Sequence, residues 1–335
     1  MNKNKNKPQF SAAVVGCGTI APVHINALLA ADIRISALCD VDIKKAEILK
    51  KKFSLNCVLY EDYFTLIKDN IADCVHICTP HNFHAMMTIF ALENDVNVFV
   101  EKPLAVNRSE VEQIQSAAKK SKSKVGVCFQ NRYLPSNIKA KVLAQKNMTE
   151  SAFFSVIWTR SEEYFEQAPW RSNLSESGGG ALINQGIHTL DLLMWFLGEP
   201  KFVTASVNNY KKLGSVEDTV SGLLNFGNNL SASFYVTTAS ASNRPVNVIL
   251  KGKKQIEIDG VFLVVDGVRK RFNNNPEQKL VKEYWGNGHL FIIKDFYNCL
   301  RLGRRFAIDE TEGARALKAV FSIYQSNGKK ISFSE

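Results

Sequence analysis

The chain has 335 residues, more than one core usually holds, which points to two domains. Hydrophobic residues make up 45% and charged residues 22%, an ordinary globular balance, and no apolar run reaches the roughly 20 residues of a membrane helix. The net charge of +10 suits anionic small molecules, but the lysines are scattered, as at Lys44, Lys45, Lys50, Lys51 and Lys52, without the interleaved aromatics of a nucleic-acid motif. Neither nucleic acid nor membrane is therefore expected as a partner.

In chain order, residues 1–9 are rich in Asn and Lys, lack an apolar segment ahead of a cleavage site, and are expected to form a short disordered tail. Residues 10–130 then alternate apolar runs with helical patterns, the mark of βαβ units in a doubly wound parallel sheet. Strands are predicted at Ser11–Gly16, Ile33–Cys39, Asn56–Leu59, Cys74–Cys78, Asn97–Glu101 and Lys124–Phe129. The runs are continuously apolar because parallel strands are covered on both faces. Helices are predicted near Pro22–Ala30, Ile43–Phe53, Tyr63–Lys68, Phe83–Glu93 and Arg108–Lys120.

From residue 131 to 335 the pattern changes to that of an α+β domain. A helix near Pro135–Gln145 precedes an extended run, Ser151–Arg160, and the triple glycine Gly178-Gly179-Gly180 opens a helix that runs to Phe196. Residues 201–272 hold β-type runs broken by Phe226-Gly227-Asn228-Asn229, Lys251-Gly252-Lys253 and Asp259-Gly260, which predicts a large, open, mostly antiparallel sheet. Helices near Gly288–Leu302 and Thr311–Ser326 close the chain. The seven cysteines form no Cys-x-x-Cys pair, and several lie in apolar runs, so a reducing cytoplasm is the expected location.

Three constellations carry chemistry. Gly16-x-Gly18-x-x-Ala21 follows the first strand, and in a doubly wound sheet ligands bind beyond the carboxyl ends of the strands. Gly16 permits the tight turn, Gly18 leaves room for a pyrophosphate, and Thr19 and Ile20 lead into a helix whose free amides favour phosphate. Asp40, 22 residues beyond Gly18, ends the second strand where a carboxylate accepts hydrogen bonds from ribose hydroxyls and repels a 2′-phosphate. NAD is therefore expected, with NADP disfavoured. Thr79 and Pro80 follow the fourth strand and are expected on the nicotinamide-ribose side, with His84 at the next helix. His84 reads equally as a structural histidine. His81 and His84 lack a third ligand nearby, so no metal is expected.

Glu101-Lys102-Pro103 ends the fifth strand, placing a cation where it stabilises a developing alkoxide or polarises a carbonyl. The third constellation is Asn184, His188 and Asp191, spaced i, i+4, i+7 on an apolar helix. Such polar groups must face water or a lined pocket, and His188 has the intrinsic pKa of a base near neutrality. Spacing alone leaves His188 open between a satisfied structural histidine and a base.

Together these residues resemble the Gfo/Idh/MocA oxidoreductase family. The resemblance covers nearly the whole chain and includes Gly16-Cys17-Gly18-Thr19-Ile20-Ala21, Asp40, Thr79-Pro80, Glu101-Lys102-Pro103, Gln130-Asn131-Arg132-Tyr133, Trp170-Arg171, Gly178 to His188, Asp191 and Glu217-Asp218-Thr219. It implies a Rossmann domain joined to an α/β domain whose open sheet pairs subunits, hence a homodimer or homotetramer. It implies Lys102 as the lysine that orients substrate and handles a proton, with His188 as general base and Asp191 beside it. Arg132, Tyr133, Arg160, Trp170, Arg171 and Asn184 are then expected on the substrate side, where aromatics meet sugar C–H faces and arginines meet carboxylate or phosphate. Trp158 and Tyr164 belong to the same candidate pocket, although the Trp residues read equally as core.

Many inositol-type members carry an aspartate where this chain has Asn184, which weakens an inositol assignment. Asn184 with His188 and Asp191 is similar to the subgroup that oxidises C3 of UDP-N-acetyl-hexosaminuronates. The resulting expectation is an NAD-dependent dehydrogenase for a secondary alcohol of a sugar, sugar nucleotide or cyclitol. Its rivals are an inositol, deoxysugar or dihydrodiol dehydrogenase of the same family, and a non-catalytic NAD-binding regulatory protein.

Overall fold

The apolar runs of residues 10–130 become six parallel strands in the computed structural model, which describes residues 10–272 and 286–333. The tail expected over residues 1–9 lies outside the described residues. Strands β1 (Ser11–Val15), β2 (Arg34–Cys39), β3 (Val58–Tyr60), β4 (Cys74–Ile77), β5 (Asn97–Val100) and β6 (Val125–Val127) order as β3-β2-β1-β4-β5-β6. Helices α1 (Ala21–Ala30), α2 (Ile43–Lys52), α3 (Tyr63–Lys68), α4 (His81–Glu93) and α5 (Arg108–Lys120) alternate with them. All residues of β1, β4 and β6 are buried, as expected of strands covered on both faces. Asp42 and Asp62 cap α2 and α3, their side chains accepting from Lys44 N and Thr65 N.

Contacts divide the chain into two units: residues 1–104, 109–128 and 289–312 in the first, and residues 105–108, 129–288 and 313–335 in the second. This differs from a single cut after residue 130, because residues 289–312 belong with the parallel sheet. The cause is packing. Phe296 and Phe306 stand 5.2 and 6.5 Å from Phe99 of β5, and Tyr297 stacks on His76 of β4 at 5.9 Å. Phe99, Phe296, Tyr297 and Phe306 are all buried, and Val127 N donates to Ile308 O at 2.9 Å.

The second unit is a nine-stranded sheet with helices. It contains α6 (Pro135–Ala144), β7 (Ser151–Ile157), α7 (Glu162–Glu166), α8 (Leu174–Ser177), α9 (Ile187–Leu197), β8 (Phe202–Asn208), β9 (Thr219–Gly227), β10 (Leu230–Thr237), β11 (Asn247–Lys251), β12 (Gln255–Asp259), β13 (Phe262–Val265) and β14 (Val268–Arg271). After α10 (Gly288–Arg301), most of which packs with the first unit, the chain ends in α11 (Glu310–Ser326) and β15 (Ile331–Ser332). The order is β14-β13-β12-β11-β7-β10-β9-β8-β15, antiparallel throughout except for the parallel pair β7–β10. The prediction of a mostly antiparallel open sheet matches this arrangement. The extended run Ser151–Arg160 splits: β7 ends at Ile157, and Trp158 N and Arg160 N continue to Thr237 O and Thr238 O.

The helix after the triple glycine departs from regular α geometry. Residues Leu182–Gly186 form a wide turn with i→i+5 bonding before α9 begins. The 3.6-residue spacing that put Asn184 on one line with His188 and Asp191 does not carry across this turn. It holds only from His188 onward. Gly180 is required at the start: a Cβ there would lie 1.9 Å from Glu217 O.

Candidate active site

Within the first unit, the strand order reverses between β1 and β4, the position where doubly wound sheets bind ligands at their carboxyl edge. Gly16 has φ +85°, and a Cβ on it would come within 2.7–2.9 Å of the Cys78–Thr79 peptide. Only glycine lets the two loops pass this closely. Gly16→Ala is expected to destabilise the fold by roughly 2 kcal/mol or more, from positive-φ strain plus a backbone clash. Urea unfolding of the variant measures this, and an unchanged midpoint would contradict it.

Gly18 is the opposite case. A Cβ there would meet nothing within 4 Å, so protein packing does not demand glycine and open space remains in front of the turn. The N-terminus of α1 has no side-chain cap; Pro22 has no N–H and Val23 N donates to Ile20 O, so the Ala21 amide is the helical donor that suits an external acceptor. Asp40 fixes the turn: Oδ2 accepts from Cys17 N at 2.7 Å and Oδ1 from Asp42 N at 2.9 Å. A carboxylate has about four acceptor sites, so these two bonds leave capacity for ribose hydroxyls. The open space at Gly18, the uncapped helix and Asp40 fit a dinucleotide.

Thr79 and Pro80 follow β4, and both are half-buried. His84 is fully buried in α4, with Nδ1 2.7 Å from Pro103 O and Nε2 2.9 Å from Thr79 O. It therefore ties the loop after β4 to the loop after β5. Burial lowers its pKa despite the two carbonyls. Both His84 ring nitrogens thus lie within hydrogen-bonding distance of backbone carbonyls, as a structural histidine's would. Pro103 follows a cis peptide bond.

Glu101 and Lys102 end β5. Glu101 is buried, and its Oε1 lies 2.9 Å from His24 Nε2 of α1. Burial alone would raise the Glu101 pKa. The His24 hydrogen bond and the charges of His24, His289 and Lys102 outweigh burial and hold it well below the usual carboxylate range. Lys102 itself is half-buried, and its backbone N donates to Glu101 Oε2 at 3.3 Å.

In the second unit, Arg132 and Asp191 form a bidentate pair: Nε to Oδ2 at 2.8 Å and Nη2 to Oδ1 at 2.5 Å. Both residues are buried, and Trp195 lies 5.8 Å from the guanidinium. Two residues assigned separately, one to substrate and one to catalysis, are thus joined. Both Asp191 carboxylate oxygens are engaged by Arg132, and a buried carboxylate chelated by arginine is a poor base. His188, three residues before Asp191, is half-buried, with Phe129 edge-on at 6.2 Å. Tyr133 is half-buried in the turn Gln130–Tyr133 that carries Arg132.

The expected aromatic and arginine residues do gather in this unit. The Arg160 guanidinium lies 4.9 Å from both the Trp158 and Tyr164 rings, and that of Arg171 lies 4.2 Å from Tyr164 and 5.6 Å from Trp170. The Tyr164 hydroxyl lies 3.4 Å from Asn184 Nδ2 and 3.3 Å from Gln185 Nε2, which links the cluster to the wide turn. Arg160 Nε is buried with no hydrogen-bond partner among the described residues.

Sequence reasoning gave Glu217 no role. Its carboxylate accepts from Gly180 N at 2.6 Å, Leu182 N at 2.8 Å and the Tyr324 hydroxyl at 2.8 Å, holding the start of the wide turn. Burial raises its pKa. His24, His289 and Cys128, all buried close to Glu101, were also missed, because their positions are far apart in the chain.

The family profile described as the oxidoreductase family with an NAD-binding Rossmann fold matches residues 10–129, and the Gfo/Idh/MocA C-terminal domain profile matches residues 141–260. The chain belongs to the Gfo/Idh/MocA family. It is an oxidoreductase, and the Rossmann unit of this Gfo/Idh/MocA member binds NAD. The Escherichia coli (strain K12) D-glucoside 3-dehydrogenase is 26% identical over 339 residues, covering 94% of each chain. The Mus musculus trans-1,2-dihydrobenzene-1,2-diol dehydrogenase is 27% identical over 305 residues, covering 87% of this chain and 88% of that protein. The fold matches the Bordetella pertussis WlbA dehydrogenase, solved with NADH and UDP-GlcNAcA, at a TM-score of 0.86 with 22% identity and 97% coverage of each chain. No helix among the described residues is long and apolar enough to cross a membrane.

For a Gfo/Idh/MocA member with this edge, Asp40→Ala is expected to weaken NAD binding and narrow the preference over NADP. Titration of both coenzymes measures it. An unchanged ratio would remove Asp40 from coenzyme choice.

Proposed function

We propose that the protein is an NAD-dependent dehydrogenase that oxidises a secondary alcohol of a sugar, sugar nucleotide or cyclitol. The observation that supports this most is the run of groups on one carboxyl edge: the glycine turn after β1, Asp40 after β2, Thr79 after β4 and Lys102 after β5. Relatives named for a D-glucoside and for a ring diol support a cyclic alcohol as substrate.

When bound, the nicotinamide supplies the hydride acceptor. The protein's residues do the rest. His188 takes the hydroxyl proton at a ring nitrogen, and the Lys102 ammonium stabilises developing negative charge. The Arg132–Asp191 pair fixes the helix that carries His188, and Glu217 fixes its start. Thr79 borders the ribose side, with Pro80 beside it.

An anionic substrate is the preferred class. Arg160 and Arg171 flank the Tyr164 ring, and Arg160 Nε has no partner among the described residues, so a carboxylate or phosphate would satisfy a buried donor. Trp170 offers an apolar face to a sugar, and Asn184 and Tyr133 offer hydrogen bonds. A panel of UDP-hexosaminuronates, neutral glucosides, inositols and ring diols, followed at the nicotinamide absorbance, tests this. Turnover confined to neutral substrates would remove the anionic class, and no turnover with any alcohol would remove the reading itself.

A homodimer or homotetramer through the nine-stranded sheet completes the proposal. Leu223 of β9 and Tyr235 of β10, 47% and 38% exposed, lie on central strands of that sheet. Light scattering reads the mass directly. A cytoplasmic location suits the seven cysteines, all buried and free.

A further inference from the structure

Four side chains drawn from distant parts of the chain meet beneath Lys102. His24 comes from α1, Glu101 from the end of β5, Cys128 from just beyond β6, and His289 from the first turn of α10. Each offers one donor atom, all four donors lie within 4.8 Å of one another, and all four residues are buried. All belong to the first unit.

We infer that His24, Glu101, Cys128 and His289 form a site for one divalent transition-metal ion, with zinc the best fit. Two imidazoles, a thiolate and a carboxylate make up the borderline donor set that zinc prefers, whereas magnesium and calcium take oxygen ligands. Tetrahedral zinc with bonds of about 2.0–2.3 Å requires donors about 3.3–3.8 Å apart. His289 Nε2 already stands 3.8 Å from Glu101 Oε1, and His24 Nε2 stands 2.9 Å from it. The remaining donor separations are within 4.8 Å, so the set is gathered to about the scale of one coordination sphere.

The charges balance as well. Binding releases the Cys128 thiol proton to solvent and requires the proton between His24 Nε2 and Glu101 to leave that nitrogen, to Nδ1 facing His76 Nδ1 or to solvent, so thiolate and carboxylate together neutralise a 2+ charge in a buried place. The hydrogen bond that His24 Nε2 and Glu101 Oε1 share is the contact the ion would replace. Four protein ligands leave no open position, so the ion is structural. It would fasten α1, which follows the dinucleotide turn, to the residue preceding Lys102 and to the late helix α10. The inference does not depend on the substrate or on the roles proposed for Lys102 and His188.

The test uses tag-free, reduced, chelator-treated full-length protein and cobalt(II) as the probe. Uptake of about one ion per chain is expected, together with the near-ultraviolet absorption of a cobalt–thiolate bond. Cys128→Ser should abolish that band, and His289→Gln should weaken binding by more than the roughly 10–100-fold that loss of an outer-shell partner costs. Zinc should displace cobalt and raise the melting temperature. X-ray absorption on zinc-loaded wild type needs no variant and should show one sulfur and three nitrogen or oxygen ligands. Absence of uptake by wild type, a zinc shell without sulfur, or a cobalt band that survives in Cys128→Ser would each overturn the site. Catalytic turnover is not among these readouts, so failure here is distinct from failure of the dehydrogenase proposal.

Discussion

Lys102→Ala is expected to lower kcat by roughly 10²–10⁴-fold while NAD binds with near wild-type affinity. The proposed function gives the dinucleotide to the backbone at Gly16 and Gly18 and to Asp40, none of which the substitution touches. What is lost is a fixed cation at the end of β5, and charge that develops only in the transition state is felt in kcat. His188→Ala is expected to cost a similar factor by removing the proton acceptor. The two should also differ in pH dependence, since only the imidazole titrates near neutrality in its unperturbed form. Stopped-flow single turnover separates chemistry from product release. Near-normal rates in either variant would remove that residue from the reaction.

The second large effect concerns stability. Asp191→Ala leaves the Arg132 guanidinium buried without its bidentate carboxylate, and breaking such a pair costs about 3–5 kcal/mol. For a protein of this size the melting temperature should fall on the order of 10 °C. Replacing both partners together, as in Arg132→Met with Asp191→Leu, should cost less than Asp191→Ala, because no buried charge is stranded. If the double variant proves the less stable, the pair contributes more than it costs to bury. Calorimetry on the two proteins decides.

The Rossmann unit was legible because its signals are local. A continuously apolar strand, a glycine turn and an acid after the second strand lie in order within about 30 residues, as the βαβ grammar requires. The antiparallel sheet was legible from its turn residues. What escaped was set by packing between distant segments. Nothing near Gly288 announces that Phe296 and Tyr297 will lie against Phe99 and His76, and so the return of residues 289–312 to the first unit was not foreseen. The Asn184–His188–Asp191 face was read with a helical period that the wide turn at Leu182–Gly186 interrupts. Asp191 was read with only its own helix in view; Arg132 approaches it from a segment 59 positions earlier. His84 was read from its own segment alone, and the two carbonyls near its ring nitrogens come from separate loops.

The late return of residues 289–312 to the parallel sheet has a bearing on how the molecule is made. A ribosome that has released the first 130 residues has delivered all six strands of that sheet but not the aromatic cover for Phe99 and His76. Those two side chains wait through more than half of synthesis, and a fragment ending at residue 130 should expose them and recruit chaperones or precipitate. Supplying residues 289–312 in trans, or grafting them by a short linker onto the fragment, should restore solubility.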